Sequence, residues 1–100
     1  MVVSETASIG AISINYNTMV VEANGKKVEL APKEFELLSY LIKHKEWVIS
    51  RETLLNAVWG YDFEGGDRVV DNHIKKLRKA LGNAGSQIKT IISKGYKITE

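Results

Sequence analysis

Five of the twelve residues from Arg68 to Lys79 are cationic, and only Asp71 among them is an acid. Solvated surface helices usually interleave the two signs, so a run this short of carboxylates suits a polyanion better than water alone. If the segment is a helix, Val70, Ile74, Leu77 and Leu81 form its buried stripe. Arg68, Val69, Asn72, His73, Lys75, Lys76 and Lys79 are then left on or near the open side, with Arg78 at its edge. Val69, Asn72 and Lys76 share one face about two turns long. The major groove of DNA is about 12 Å wide and admits one α-helix. There Asn72 can pair with adenine N6/N7, Lys76 with guanine O6/N7, and Val69 can pack on a thymine methyl. Arg68, His73, Lys75, Arg78 and Lys79 flank that line at positions suited to phosphates, which fix register without reading sequence. His73 has a second reading, as a packing contact.

The charge distribution points the same way. The chain has 100 residues and a net charge of +2; residues 1–67 hold 6 basic and 10 acidic side chains, whereas residues 68–100 hold 8 basic and 2 acidic. Enzymatic chemistry finds little to use. There is no cysteine for a thiolate ligand or nucleophile, and the two histidines, His44 and His73, stand on different elements with no carboxylate pair at ligand spacing. Gly65-Gly66 lacks the lysine and hydroxyl residue of a phosphate-cradling loop, and no serine sits in a nucleophile-elbow pattern. No catalytic residue, metal site or cofactor is therefore expected. No run approaches the ~18 apolar residues of a membrane span, and Met1 to Glu5 has no signal-peptide pattern. Absence of cysteine suits a reducing, cytoplasmic setting. Two other classes fit the same cations: a module that binds an acidic protein, and a nucleic-acid binder without sequence preference.

The elements that must position this helix follow from the pattern. Residues 8–30 alternate with period two, as in Ile12, Ile14 and Tyr16, then Met19, Val21 and Ala23, and Asn24-Gly25 is a preferred two-residue hairpin turn. This predicts a small antiparallel sheet of three or four strands, with residues 1–7 a linker or cloning remnant ahead of a domain over 8–100. Ala31-Pro32 opens a first helix that runs to about Lys45 on Phe35, Leu38, Leu41 and Ile42. His44 falls at its end, favourable to the dipole. Trp47-Val48-Ile49 reads as a short strand, with Trp47 expected in the core. Ser50 caps a second helix bearing Leu54, Leu55, Val58 and Trp59, and Gly60 stops it. Trp59 is expected to close that helix against the core, with a partner contact as the alternative. The loop of Tyr61, Asp62, Phe63 and Glu64 mixes aromatics with acids, which suits a protein partner or a merely mobile loop. Asp67 is expected to cap the third helix, Arg68 to Leu81, which ends at Gly82-Asn83. Two strands, Ile88 to Ile92 and Tyr96 to Thr99, close the chain as a hairpin carrying Lys89, Lys94 and Lys97. Tyr96 suits the core and a phosphate contact equally. The fold class is α+β: a sheet, three helices and a terminal hairpin.

From Leu30 to Ile98 the chain resembles the winged-helix effector domain of OmpR/PhoB-type bacterial response regulators. The matching pieces are Glu34-Phe35-Glu36-Leu37-Leu38, Val48 through Leu55, Val58-Trp59-Gly60, Arg68 through Leu81, and Gly95-Tyr96-Lys97. The resemblance implies a winged helix-turn-helix that binds double-stranded DNA sequence-specifically to regulate transcription, on tandem half-sites and as dimers. It also implies a receiver domain phosphorylated by a sensor kinase elsewhere in the full-length protein. Carried over by position, Arg68 to Leu81 is the recognition helix and Ile88 to Thr99 the wing. Thr90, Lys94 and Tyr96 are then set toward the DNA backbone, and the loop with Trp59, Tyr61, Asp62, Phe63 and Glu64 toward RNA polymerase. Three departures stand out. Val69 takes the place of a common threonine, Ile92 that of the usual wing arginine, with Lys94 the nearest cation, and Ala31 that of a threonine cap, at a cost of about 1 kcal/mol.

Overall fold

The computed structural model describes residues 5–100. Four short strands, β1 (Thr6–Ile9), β2 (Ile12–Asn15), β3 (Val20–Ala23) and β4 (Lys26–Val28), form an antiparallel sheet in sequential order. Alternation sets its faces: Ile12 and Ile14 are buried opposite Ala23 and Val21, while Ser13 and Glu22 pair on the other face. Asn24 and Gly25 both adopt positive φ, 55° and 78°, which the turn between β3 and β4 requires. Strand β1 begins at Thr6, two residues before the alternation that the sequence pattern shows. Thr6 and Ala7 pair with Asn15 and Ile14 and belong to the sheet, not to a linker. The first four residues of the expected linker lie outside the described residues. Met19 is 58% exposed in a turn with φ 61°, out of the apolar row in which the alternation puts it.

Three helices follow, α1 (Pro32–Lys43), α2 (Arg51–Val58) and α3 (Arg68–Leu81). Ala31 has no side-chain oxygen to cap α1, but the Glu34 carboxylate reaches back to the Ala31 N–H at 3.2 Å and supplies the reciprocal half of a capping box. Ser50 caps α2 as expected, accepting from the Thr53 N–H at 3.0 Å. Leu37, Leu38, Leu41 and Ile42 of α1, Leu54 and Val58 of α2, and Val70, Ile74, Leu77 and Leu81 of α3 join the inner face of the sheet in one core. Between α1 and α2 the chain makes one bridge, Ile49 to Tyr96, instead of a strand. Glu46 takes φ 71° there, which turns Trp47 outward; Trp47 is 66% exposed and Ile49 fills the core in its place.

After α3 a 3₁₀ segment, Gly82–Gln87, leads into the hairpin of β5 (Ile88–Ile91) and β6 (Gly95–Ile98). The sequence pattern did not reveal this segment. It brings Gly85 against the Arg78 carbonyl so closely that any Cβ at position 85 would collide with it. It also buries Gln87, whose amide donates to the Ile9 and Thr99 carbonyls, both at 2.9 Å, and accepts from the Ala11 N–H at 2.9 Å. One side chain thereby ties the first sheet to the end of the wing.

Candidate nucleic-acid interface

The outward side of α3 carries Arg68, Asn72, Lys75, Lys76 and Lys79, all exposed. The apolar stripe below them is buried to the last residue, with Val70, Ile74 and Leu77 at 0% exposure, so the helix cannot rotate to hide the cations without uncovering the core. Val69 is half-buried against the core edge and offers less of its side chain to a groove than its spacing suggests.

Asp71, the one acid of α3, is the residue that sequence reasoning missed. Its Oδ2 accepts from Arg51 Nη2 at 2.8 Å and its Oδ1 from the Tyr96 hydroxyl at 2.6 Å. The same Arg51 nitrogen reaches Asp67 at 3.1 Å. Asp67 sits at the N-cap position of α3 but makes no side-chain cap bond, because its carboxylate is turned to Arg51. Start of α2, start of α3 and wing are therefore joined through one carboxylate. A lone acid in a cationic helix was the available signal, since an unpaired carboxylate there would repel the same polyanion the cations attract.

The network engages two of the residues expected at the phosphates. Tyr96 is 6% exposed, packs in the core and gives its one hydroxyl proton to Asp71. Burial comes first, then the hydrogen bond and charge of Asp71; together they push the Tyr96 hydroxyl up to about 12, with Arg78 and Arg51 pulling it down. Arg78 points inward. Its Nε and Nη2 donate to the Ile88 carbonyl at 3.1 and 2.9 Å, Nη2 also donates to Thr90 Oγ1 at 2.7 Å, and the guanidinium lies 5.6 Å from the Tyr96 ring centre. It braces the wing on α3. Thr90 accepts from Arg78 and keeps its own hydroxyl proton for another acceptor.

His73 is half-buried. One ring nitrogen lies 2.9 Å from the Val69 carbonyl and the ring stands edge-on to Trp59 at 5.1 Å, leaving the other nitrogen as its only polar contact point outward. Trp59 closes the end of α2 as its sequence position suggests, packed between His73 and Lys33, whose Nζ is 5.8 Å from the indole. Tyr61, Asp62, Phe63 and Glu64 are all exposed in the loop that follows.

Between the start of α2 and the wing lies an open groove of about 470 Å³, lined by Ser50, Arg51, Asp71 and residues 90–96. Lys94 stands exposed at its rim, and Ile92, beside it, is 86% exposed. Among the described residues no cluster of His, Asp and Glu could hold a metal ion. No described helix is long and apolar enough to cross a membrane.

Comparison with known proteins matches this geometry. The family model described as "Transcriptional regulatory protein, C terminal" covers residues 25–98. An uncharacterized transcriptional regulatory protein of Bacillus subtilis, YclJ, is 49% identical over 90 residues, which are 88% of this chain and 40% of that protein. The alkaline phosphatase synthesis transcriptional regulatory protein PhoP of the same organism is 52% identical over 77 residues, 74% of this chain and 32% of its own length. The chain thus spans less than half the length of these curated relatives. Among solved structures, the DNA-binding domain of Klebsiella pneumoniae RstA, in complex with RstA box, superposes with a TM-score of 0.84 at 35% identity, covering 95% of this chain and 97% of that one.

Proposed function

The chain belongs to the OmpR/PhoB-type family of winged-helix effector domains, the C-terminal part of transcriptional regulatory proteins, and we propose that it binds duplex DNA sequence-specifically by placing α3 in the major groove. One observation carries this reading: the exposed face of α3 holds Arg68, Lys75, Lys76 and Lys79, while its single acid is held by Arg51 and Tyr96. Asn72 and Lys76 are the base readers, with Val69 a smaller apolar contact at the groove edge. Arg68, Lys75 and Lys79 take phosphates, joined by Lys94 from the wing, the Thr90 hydroxyl and the outer nitrogen of His73. Arg78 and Tyr96 hold the wing for these contacts rather than making them. In the longer protein, a receiver domain controls this output, and the working compartment is the cytoplasm, where the DNA is.

Selection of binding sites from a random duplex pool at two salt concentrations tests the proposal. With about 4–6 phosphate contacts, log affinity falls against log salt with a slope near −4 to −5, and the pool yields a motif of two similar elements about one helical turn apart. A salt-sensitive pool without a motif would reduce the protein to a backbone binder. No binding at low salt would leave a protein partner for the cationic face.

A further inference from the structure

The two histidines are held alike and placed differently. In each, Nδ1 lies 2.9 Å from the carbonyl four residues back, Tyr40 for His44 and Val69 for His73. A carbonyl oxygen only accepts, so Nδ1 carries the proton and donates in both rings. Neutral imidazole has a single N–H, which leaves Nε2 a bare acceptor. His44 lies among aromatic rings at the end of α1, stacked on Tyr40 at 4.3 Å with Trp47 at 5.9 Å. His73 stands on α3 beside the exposed Asn72, Lys75 and Lys76. Trp59, edge-on at 5.1 Å and itself 6.3 Å from the Phe63 ring, closes one side of it.

A bare acceptor is the wrong group for a phosphate. The diester oxygens have no proton to give, so two sets of lone pairs would face each other. Protonation turns Nε2 into a donor and charges the ring, and the same oxygen then accepts a charge-assisted hydrogen bond. The charged groups around the ring come from three elements. They are Lys76, three residues on along α3; Lys33 of α1, 5.8 Å from the Trp59 ring; Glu36, which pairs with Lys33 at 3.3 Å; and the exposed Asp62 and Glu64 of the loop after Trp59. None of these acids forms an ion pair with His73 among the described residues, so the outer nitrogen is open to an incoming anion. A phosphate beside the ring favours its protonated form. The bound state then holds more protons than the free one, and affinity rises as pH falls.

We propose that the His73 contact is proton-linked: its outer nitrogen takes a backbone phosphate as imidazolium and not as imidazole, so the domain grips DNA more tightly in mildly acidic solution. The proposal rests on the DNA-binding reading above and adds a regulation to one of its contacts. Affinity for the selected duplex at fixed salt, from about pH 8 to about pH 5, tests it, because imidazoles as a class change charge in that window. The wild-type chain binds about tenfold more tightly at the acid end, as one charge-assisted hydrogen bond implies. Calorimetry of the same binding in two buffers of different ionisation enthalpy shows net proton uptake in mid-window. His44→Gln keeps both effects. His73→Gln loses both and matches the wild-type chain at the alkaline end, which also shows that it is folded. His73→Lys, charged throughout the window, binds at the alkaline end as the wild-type chain does at the acid end. Wild-type affinity without pH dependence or proton uptake would overturn the proposal, and so would a gain that survives in His73→Gln. Weakening on acidification that His73→Gln abolishes would overturn it too, by making the neutral nitrogen an acceptor for a base amino group. Failure of the wild-type chain to bind the duplex even at the alkaline end, where Arg68, Lys75, Lys76 and Lys79 are charged, would bring down the DNA reading itself.

Discussion

Helices α1 and α3 pack on each other, each with four apolar side chains sealed in the core: Leu37, Leu38, Leu41 and Ile42 on one, Val70, Ile74, Leu77 and Leu81 on the other. Their outer sides diverge. The charges of α1 are two lysines and two glutamates, and they are engaged. Lys33 pairs with Glu36 at 3.3 Å, Lys43 lies 4.9 Å over the Tyr16 ring, and Glu34 caps the helix. Helix α3 has five cations and one acid; Arg78 is turned to the wing, Asp71 is satisfied, and Arg68, Lys75, Lys76 and Lys79 make no ion pair among the described residues. Buried stripes tell how a helix is held. What it is for shows in the charge left without a partner.

The largest effects should fail to separate the two helices. Leu38→Ala in α1 and Ile74→Ala in α3 each cost about 2–5 kcal/mol of stability, read by urea unfolding, since both side chains are fully buried. A clearly smaller cost at position 74 would mean that α3 is not seated as described.

Next comes the network at the start of α3. The folded Tyr96 pKa of about 12 exceeds the ordinary value near 10. Its contribution is therefore complete below pH 10 and is lost as pH rises toward 12, amounting to about 2–3 kcal/mol by linkage. The stability difference between the wild-type chain and Tyr96→Phe should shrink over that window, and the tyrosine ionisation near pH 12 in an absorbance titration should vanish in the variant. A pH-independent difference would remove Asp71 as the anchor.

At the outer face, Lys76→Ala should cost about 1–3 kcal/mol on the selected site and relax preference at one base pair. Equal weakening on every sequence would move Lys76 to the phosphate class. The smallest effect belongs to α1. Glu36→Ala, which deletes an exposed i,i+3 pair, should change stability by only a few tenths of a kcal/mol and leave DNA affinity alone. A marked gain in DNA affinity would extend the interface to α1.

Much of this was legible in the sequence, because periodicity reports burial directly. Ile12, Ile14, Val21 and Ala23 fixed the sheet face, and the stripe of α3 left its cations outward. Side-chain partners were not legible. The Tyr96–Asp71 bond joins residues 25 apart and Arg78 meets Ile88 ten residues on, so neither shows until the hairpin is folded back on the helix. Asp67 is the right type for a cap and sits at the cap position, but a nearby guanidinium outcompetes the backbone N–H for its carboxylate. Trp47 misled for a similar reason. Its apolar type argues for the core, whereas a positive φ at Glu46 decides which way the chain turns.

The central claim is that the unpartnered cations of α3 meet DNA phosphates, and the salt dependence of binding tests it most directly. Affinity of the wild-type chain and of Arg68→Gln, Lys75→Gln and Lys79→Gln combined should be measured on the selected duplex over a salt series. The account predicts that the log–log slope flattens by roughly 0.9 for each contact removed, close to 3 in all. A slope unchanged by the three substitutions would contradict it.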